Sequence, residues 1–376
     1  MRVRGSANQA RGATDGGRFR SRHAAVRIGT AAQQQRAGGA MIAQASTFPW
    51  LVADIGGTNA RFGLVKAPGA AVEEVRSMRC ADYPAPEAAA SAYLADVGRR
   101  AGATPRPRVA AIALASAVSG DIVRMTNSAW SVSAAAVRDA LGAERVILLN
   151  DFEALALALP RLAPVDVQAI GGGLINHRLP MAVIGPGTGL GVAACVPTPE
   201  GGWVALPSEG GHVTLAAADD YEADVLRVVR REHAHVSAER LLSGLGLPLL
   251  YRAVAAVRGR AHDAALGAPD ITRLALAEAD ATCAETVDLF CAMLGGFAGN
   301  VALTLGARGG LLIAGGVAHT LRDLLPRSRF RERFEAKGRF RGYLAPIATG
   351  LIVAPHAALD GAAQGIASQL GPAARC

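Results

Sequence analysis

Aromatic residues are scarce in this chain. Phe, Trp and Tyr together make 5% of 376 residues, although 51% of the chain is hydrophobic and 44 positions are glycine. That balance excludes a fibrous or wholly disordered protein and fits an α/β globule with many tight turns. Cysteine is sparse as well. Cys80, Cys195, Cys283, Cys291 and Cys376 form no CxxC pair and no metal-like Cys/His spacing. A disulfide framework is therefore not expected, and a reducing, cytoplasmic location is. No apolar run approaches the roughly 18 residues that a membrane span needs. The longest, around Val109–Val118 and Met181–Val196, are interrupted by polar residues or glycines, so no membrane partner is expected. Two nucleotide signatures are also missing. There is no GxxxxGK[ST] loop, and Val192 stands where a GxGxxG run starting at Gly187 needs its last glycine.

Charge is present but unevenly placed. Of the net +8, residues 1–40 carry +7, from arginines at 2, 4, 11, 18, 20, 22, 27 and 36 against the single acid Asp15. The body of the chain is thus close to neutral and gives no electrostatic reason to bind nucleic acid. Residues 1–48 show no apolar period and no apolar signal-peptide centre, and they are expected to be a disordered basic leader. Such a leader is open to three readings: a targeting segment, a nucleic-acid arm, or an over-extended gene start with initiation at Met41.

From Pro49 the pattern becomes regular. Trp50–Ile55 reads as a buried strand, Gly56–Asn59 as a turn and Ala60–Lys66 as the returning strand. A helix over Glu87–Arg100, a strand over Val109–Ala115 and a helix capped by Ser131 or Ser133 and stopped at Gly142 follow. Arg145–Leu149 is a strand and Asp151–Leu159 a helix closed by Pro160. The second half repeats the opening device, with strands Met181–Gly185 and Leu190–Val196 around a turn at Pro186–Gly189. Helices are expected over Asp219–Arg231, Ala238–Leu242 and within Ile271–Leu305, then a strand over Gly310–Ala314. Alternating elements and a duplicated hairpin predict two related α/β lobes.

Three glycine turns are candidates for phosphate: Gly56-Gly57-Thr58, Gly187-Thr188-Gly189 and Gly315-Gly316. Successive backbone N–H groups in such turns can cradle an anion, and a Cβ there would block close approach. Any one of them can equally be a simple hairpin closure; three in one chain favour phosphate. Asp54, two residues before the first Gly-Gly, is a candidate Mg²⁺ ligand, because a bare carboxylate beside phosphate would repel it. Asn150-Asp151 follows a strand, where ligands of α/β sheets collect. Asp151 reads either as a helix N-cap or as a general base for a hydroxyl that attacks phosphorus. Glu209, His212 and Glu239 offer the mixed donors and acceptors that sugar hydroxyls require. Asn127 is another polar group at a strand end.

Seven runs together resemble the bacterial glucokinases, in that family's order: Asp54-Ile-Gly-Gly-Thr-Asn-Ala-Arg61, Met125-Thr-Asn127, Asn150-Asp-Phe152, Gly187-Thr-Gly-Leu-Gly191, Glu209-Gly-Gly-His212, His235-Val-Ser-Ala-Glu-Arg240 and Ala314-Gly-Gly316. The resemblance spans residues 49–370. It implies an α/β, two-lobed actin-like ATPase (ribonuclease H-like) fold with a central cleft, its small lobe over 49–161 completed by 352–372 and its large lobe over 162–351. It implies glucose held by Asn150, Asp151, Glu209, His212 and Glu239, with Asp151 also the base, and Asn127 at its strand end is a further candidate for the sugar. ATP and Mg²⁺ then fall to Asp54, Gly56, Gly57, Thr58, Asn59, Gly187, Thr188, Gly189, Gly315 and Gly316. It favours a homodimer. Ala115-Ser116-Ala117, Ser208 and Pro186 depart from the family's usual residues. Competing readings are a kinase for another hexose such as mannose, a sugar-responsive DNA-binding regulator, and an actin-like structural ATPase.

Overall fold

The computed structural model describes residues 47–118, 120–125 and 129–370. Residues 1–46 of the expected leader and Asn127 lie outside the described residues, whereas Thr47 and Phe48, also assigned to the leader, join the fold, with Phe48 stacked on Trp50. Both predicted hairpins are present, and each seeds a sheet. Strands β1 (Trp50–Ile55) and β2 (Asn59–Val65) pair antiparallel, with Asp54 opposite Arg61. Further along come β3 (Glu73–Arg79), β4 (Val109–Leu114), the short pair β5 (Ile122–Arg124) and β6 (Ser131–Ser133), and β7 (Arg145–Asn150). The first sheet has the order β3-β2-β1-β4-β7, and β1, β4 and β7 run parallel.

The second sheet is built the same way. It contains β8 (Val167–Gly171), β9 (Met181–Pro186), β10 (Leu190–Pro197), β11 (Trp203–Ser208), β12 (Gly310–Ile313) and β13 (Thr349–Ile352). Its order is β11-β10-β9-β12-β13-β8. Reading β11-β10-β9-β12-β13 against β3-β2-β1-β4-β7 gives the same succession of antiparallel and parallel neighbours, with β8 added antiparallel at the edge. The duplicated hairpin seen in the sequence is thus the visible part of a duplicated five-stranded sheet.

The central strands β1, β4 and β9 are apolar at nearly every position and buried on both faces, as parallel strands covered by helices are. Helix 357–370 and helix 151–158 close one face of the first sheet, in a cluster of Trp50, Val52, Ala111, Leu149, Ala154 and Ile366. The later turns of helix 151–158 also pack on β9, β10 and β12 of the second sheet. One helix contradicts the expected absence of any membrane-length apolar segment. Ala281–Leu305 has 25 residues and contains an 18-residue window of mean hydropathy 1.5, but 78% of that window is buried inside the protein. It was overlooked because Thr, Glu, Asp, Asn and glycine are scattered along it. Here it is the central helix of the largest core, beside Phe330 and Phe334.

Candidate active site

The site is assembled where strands end. Beyond β1, β4, β7, β9 and β12 the chain turns into loops or helix starts, and these line one cleft of about 1160 Å³. All three glycine turns reach it, through Gly56, Gly57 and Thr58, through Gly187, Thr188 and Gly189, and through Gly315 and Gly316. Not every amide in these turns is free for a ligand. The Gly56 amide donates to the Asn59 carbonyl at 3.0 Å, and the Gly187 amide to the Gly189 carbonyl at 2.9 Å. Asn59 therefore closes the first turn through its backbone, and its side chain is not among those on the cleft wall. At the third turn Gly315 has φ 92°, and a Cβ there would lie 2.5 Å from the Pro186 carbonyl oxygen. Only glycine lets the second and third turns approach this closely.

The helix carrying Asp151 starts differently from one of its two sequence readings. Asn150, not Asp151, is the N-cap. Its Oδ1 accepts from the Phe152 amide at 2.9 Å and the Glu153 amide at 3.3 Å. Glu153 Oε2 in turn accepts from the Asn150 amide at 3.3 Å, completing a capping box. Asp151 is left as the first helical residue, with one carboxylate oxygen accepting from the Phe152 amide at 2.9 Å. The cap is itself anchored, because Asn150 Nδ2 donates to the Ser116 carbonyl at 3.2 Å. The unusual Ala115-Ser116-Ala117 loop thus holds the residue that holds the helix.

Burial, followed by the negative charge of Asp54, pushes the Asp151 carboxyl up to about 7; the Phe152 amide opposes that shift. Burial also raises Asp54, while Arg61 and, more weakly, His356 pull it back. Arg61 Nη1 donates to Asp54 Oδ2 at 3.2 Å. Among the described residues Arg61 is the only Lys or Arg on the cleft wall. It is not among the expected site residues, although the four-residue turn Gly56–Asn59 after Ile55 places it directly across from Asp54.

Glu209 and His212 also line the cleft and are mainly exposed. The loop between them is a single 3₁₀ turn, Gly210–His212, secured by the Ser208 hydroxyl, which donates to the Val192 carbonyl at 3.0 Å and accepts from the Gly210 amide at 3.2 Å. His212 stands between two carboxylates, with Nε2 3.8 Å from Glu209 Oε2 and Nδ1 3.7 Å from Glu239 Oε1. Glu239 lies behind the second glycine turn rather than on the wall, its Oε2 accepting from the Leu190 amide at 2.8 Å. A Cβ on Gly189 would meet that oxygen at 2.4 Å. Glu239 therefore links the sugar-type group His212 to the phosphate-type turn. His319 and His356 also border the cleft, and neither was foreseen; His356 starts a helix that had not been recognised in the sequence.

Residues 51–369 match the family model described as Glucokinase. The chain belongs to the glucokinase family. A glucokinase of Chromobacterium violaceum is 48% identical over 325 residues, covering 86% of this chain and 91% of that one. A glucokinase of Paramagnetospirillum magneticum is 49% identical over 314 residues, covering 83% and 96%. Among solved structures, glucokinase from an Antarctic psychrotroph shares 38% identity over 84% of this chain and 98% of its own, with a TM-score of 0.77. The fold of this glucokinase-family chain is accordingly the α/β actin-like ATPase fold, and the chain is a hexose kinase enzyme.

Proposed function

We propose that this chain transfers the γ-phosphoryl group of ATP to the 6-hydroxyl of D-glucose, with Asp151 as the general base. The observation that carries the reading is the position of Asp151. It is not the helix cap, burial raises its carboxyl to about 7, and it shares one cleft with the three glycine turns and with Glu209 and His212. A base works best when its pKa lies near the operating pH. Solved glucokinases of the same fold are described as complexes with glucose, and with glucose and AMPPNP, which supports these two substrates here.

Glucose is held by Asn127, Asn150, Asp151, Glu209 and His212, with Glu239, expected on the sugar itself, acting on it through His212 from behind the second turn. ATP phosphates face the turns at Gly56–Asn59, Gly187–Gly189 and Gly315-Gly316. Mg²⁺ fits the donor set: Asp54 supplies one buried carboxylate beside the first turn, the mode in which this ion binds between one or two carboxylates and phosphate. When bound, it neutralises phosphate charge. Asp151 accepts the proton of the 6-hydroxyl as that oxygen attacks phosphorus, and the turn amides stabilise the charge that develops on the transferred group. The two sheets belong to lobes over 49–161 plus 352–372 and over 162–351, which close and exclude water. The enzyme works in the cytoplasm as a homodimer, with no nucleic-acid or membrane partner. Four buried, unpaired cysteines, Cys80, Cys195, Cys283 and Cys291, support a reducing compartment.

A coupled assay of ADP release over a panel of hexoses tests the reading. Glucose is expected to give the highest kcat/KM. Equal or better turnover of mannose would transfer the proposal to another hexose, and sugar-independent ATP hydrolysis would remove it.

A further inference from the structure

A second cavity of about 540 Å³ lies along the same two helices that form the cleft. The cleft takes the first turns of helices 151–158 and 357–370, whereas this cavity takes Leu157–Leu162 and one face of the later turns, from Asp360 to Ser368. Its remaining walls come from both sheets: Trp50 and the β2–β3 loop of the first, and Gly201, Gly202 and Trp203 at the β10–β11 turn of the second. Its size is that of a pocket for a small molecule.

Two charged side chains on its walls, half-buried Asp360 and exposed Arg161, are left largely to solvent. Asp360 is raised by burial, and no hydrogen bond or ion pair reaches its carboxylate among the described residues. Arg161 engages only Gln364 Oε1, at a long 3.5 Å. Asp166 is already spent in its own turn, accepting from the Ala163 amide at 2.8 Å. No three His, Cys, Asp or Glu side chains gather as a metal site among the described residues. The walls carry two carboxylates, Asp166 and Asp360, against one guanidinium, Arg161, so a free anion meets the carboxylates and a free cation meets Arg161. A neutral molecule with many hydroxyls satisfies both, giving protons to Asp360 and accepting them from Arg161, while Gln364 does either. Trp203 adds an apolar surface for the C–H face of such a molecule.

We propose that this cavity is a second ligand site, separate from the cleft, for a neutral carbohydrate-like polyol that bridges the two sheets behind helix 357–370. The inference does not depend on which hexose the cleft phosphorylates. It is tested with full-length protein labelled with 5-fluorotryptophan, using maltose as probe after glucose has been added to fill the cleft. Of the three tryptophans, Trp50 and Trp203 line the cavity, and Trp130 lies in a different core cluster and serves as reference. Maltose is expected to shift the Trp50 and Trp203 ¹⁹F signals but not that of Trp130. Binding should weaken about tenfold or more in Asp360→Ala and in Arg161→Ala, the loss expected of a hydrogen bond to a charged group. Both variants should keep wild-type kcat with glucose, which shows that they fold. Unmoved Trp50 and Trp203 signals at tens of millimolar maltose overturn the proposal, as does affinity unchanged in both variants. If inorganic phosphate or ethanolamine shifts the signals and maltose does not, the polyol assignment is wrong.

Discussion

At the residue scale, Asp151 owes its chemistry to what its neighbours do. Because Asn150 and Glu153 close the helix start between them, the Asp151 carboxylate is not needed as a cap and remains available to a substrate hydroxyl. Replacing it with asparagine keeps the shape and removes the base, so kcat should fall by about 10²–10⁴-fold. Glucose binding, followed by calorimetry, should stay measurable, and near-normal turnover would show that another group takes the proton. The raised pKa has two further consequences. A base must be ionised, so kcat/KM should decline as pH falls through about 7. Asp54 contributes to that shift by charge repulsion, so Asp54→Asn should move the acid limb to lower pH even though turnover drops. A limb that stays in place would mean that burial alone sets the shift. For stability the sign is the opposite of that for activity. The folded chain binds this proton more tightly than the unfolded one does, so the Asp151 contribution is full below about pH 4 and is lost as pH rises through about 7. Asp151→Asn should therefore melt higher than wild type at pH 8, in a calorimetric scan.

At the scale of elements, the hairpins and their glycine turns were legible because strand alternation, Gly-Gly-Thr and Gly-Thr-Gly are local signals. The register of the first hairpin even contained the Asp54–Arg61 pair. Less legible were elements whose reasons lie elsewhere in the fold. β11 is an edge strand with Val204 and Leu206 exposed and Pro207 inside it, so it lacks the pattern of a buried strand. β13 is four residues long and contains Gly350. Helix 357–370 carries Gly361 and Gly365, which read locally as helix breakers. In the folded chain these glycines let two helices and a strand meet. A Cβ on Gly361 would lie 1.7 Å from the Ala154 carbonyl oxygen, and one on Gly365 2.7 Å from Leu149 Cδ1. Gly361→Ala should therefore destabilise by about 1–3 kcal/mol, as overpacking does, despite the better helix propensity of alanine. Because the opposing backbone belongs to the helix that begins at Asp151, kcat should fall together with the melting temperature. A variant at least as stable as wild type would show that the helices can separate without cost. The Gly185 and Gly191 positions follow the same logic: a Cβ at either would run into the Phe152 ring, so these glycines seat the helix rather than bind phosphate.

At the scale of the whole molecule, the duplicated sheet explains why the site could be assembled from distant residues. Each copy ends in a hairpin turn and a helix start at the same place, and the two copies face one cleft. Sequence reasoning found the turns in both copies but could not orient Glu239, whose contact with the Leu190 amide crosses from a helix to a strand start 49 residues away. The distribution of charge makes a separate statement about the molecule. Of its +8, residues 1–40 carry +7. Removing residues 1–40, so that the chain starts at Met41, should leave kcat and KM for glucose within about twofold of wild type, since every residue that lines the cleft among the described residues comes after position 53. The same truncation should abolish any retention on duplex DNA, because the body left behind is close to neutral and phosphate binding by basic residues is what salt-sensitive DNA affinity consists of. Retention that survives truncation would place a nucleic-acid surface on the folded body. A loss of glucose turnover would instead make the leader part of the enzyme, and would count against initiation at Met41.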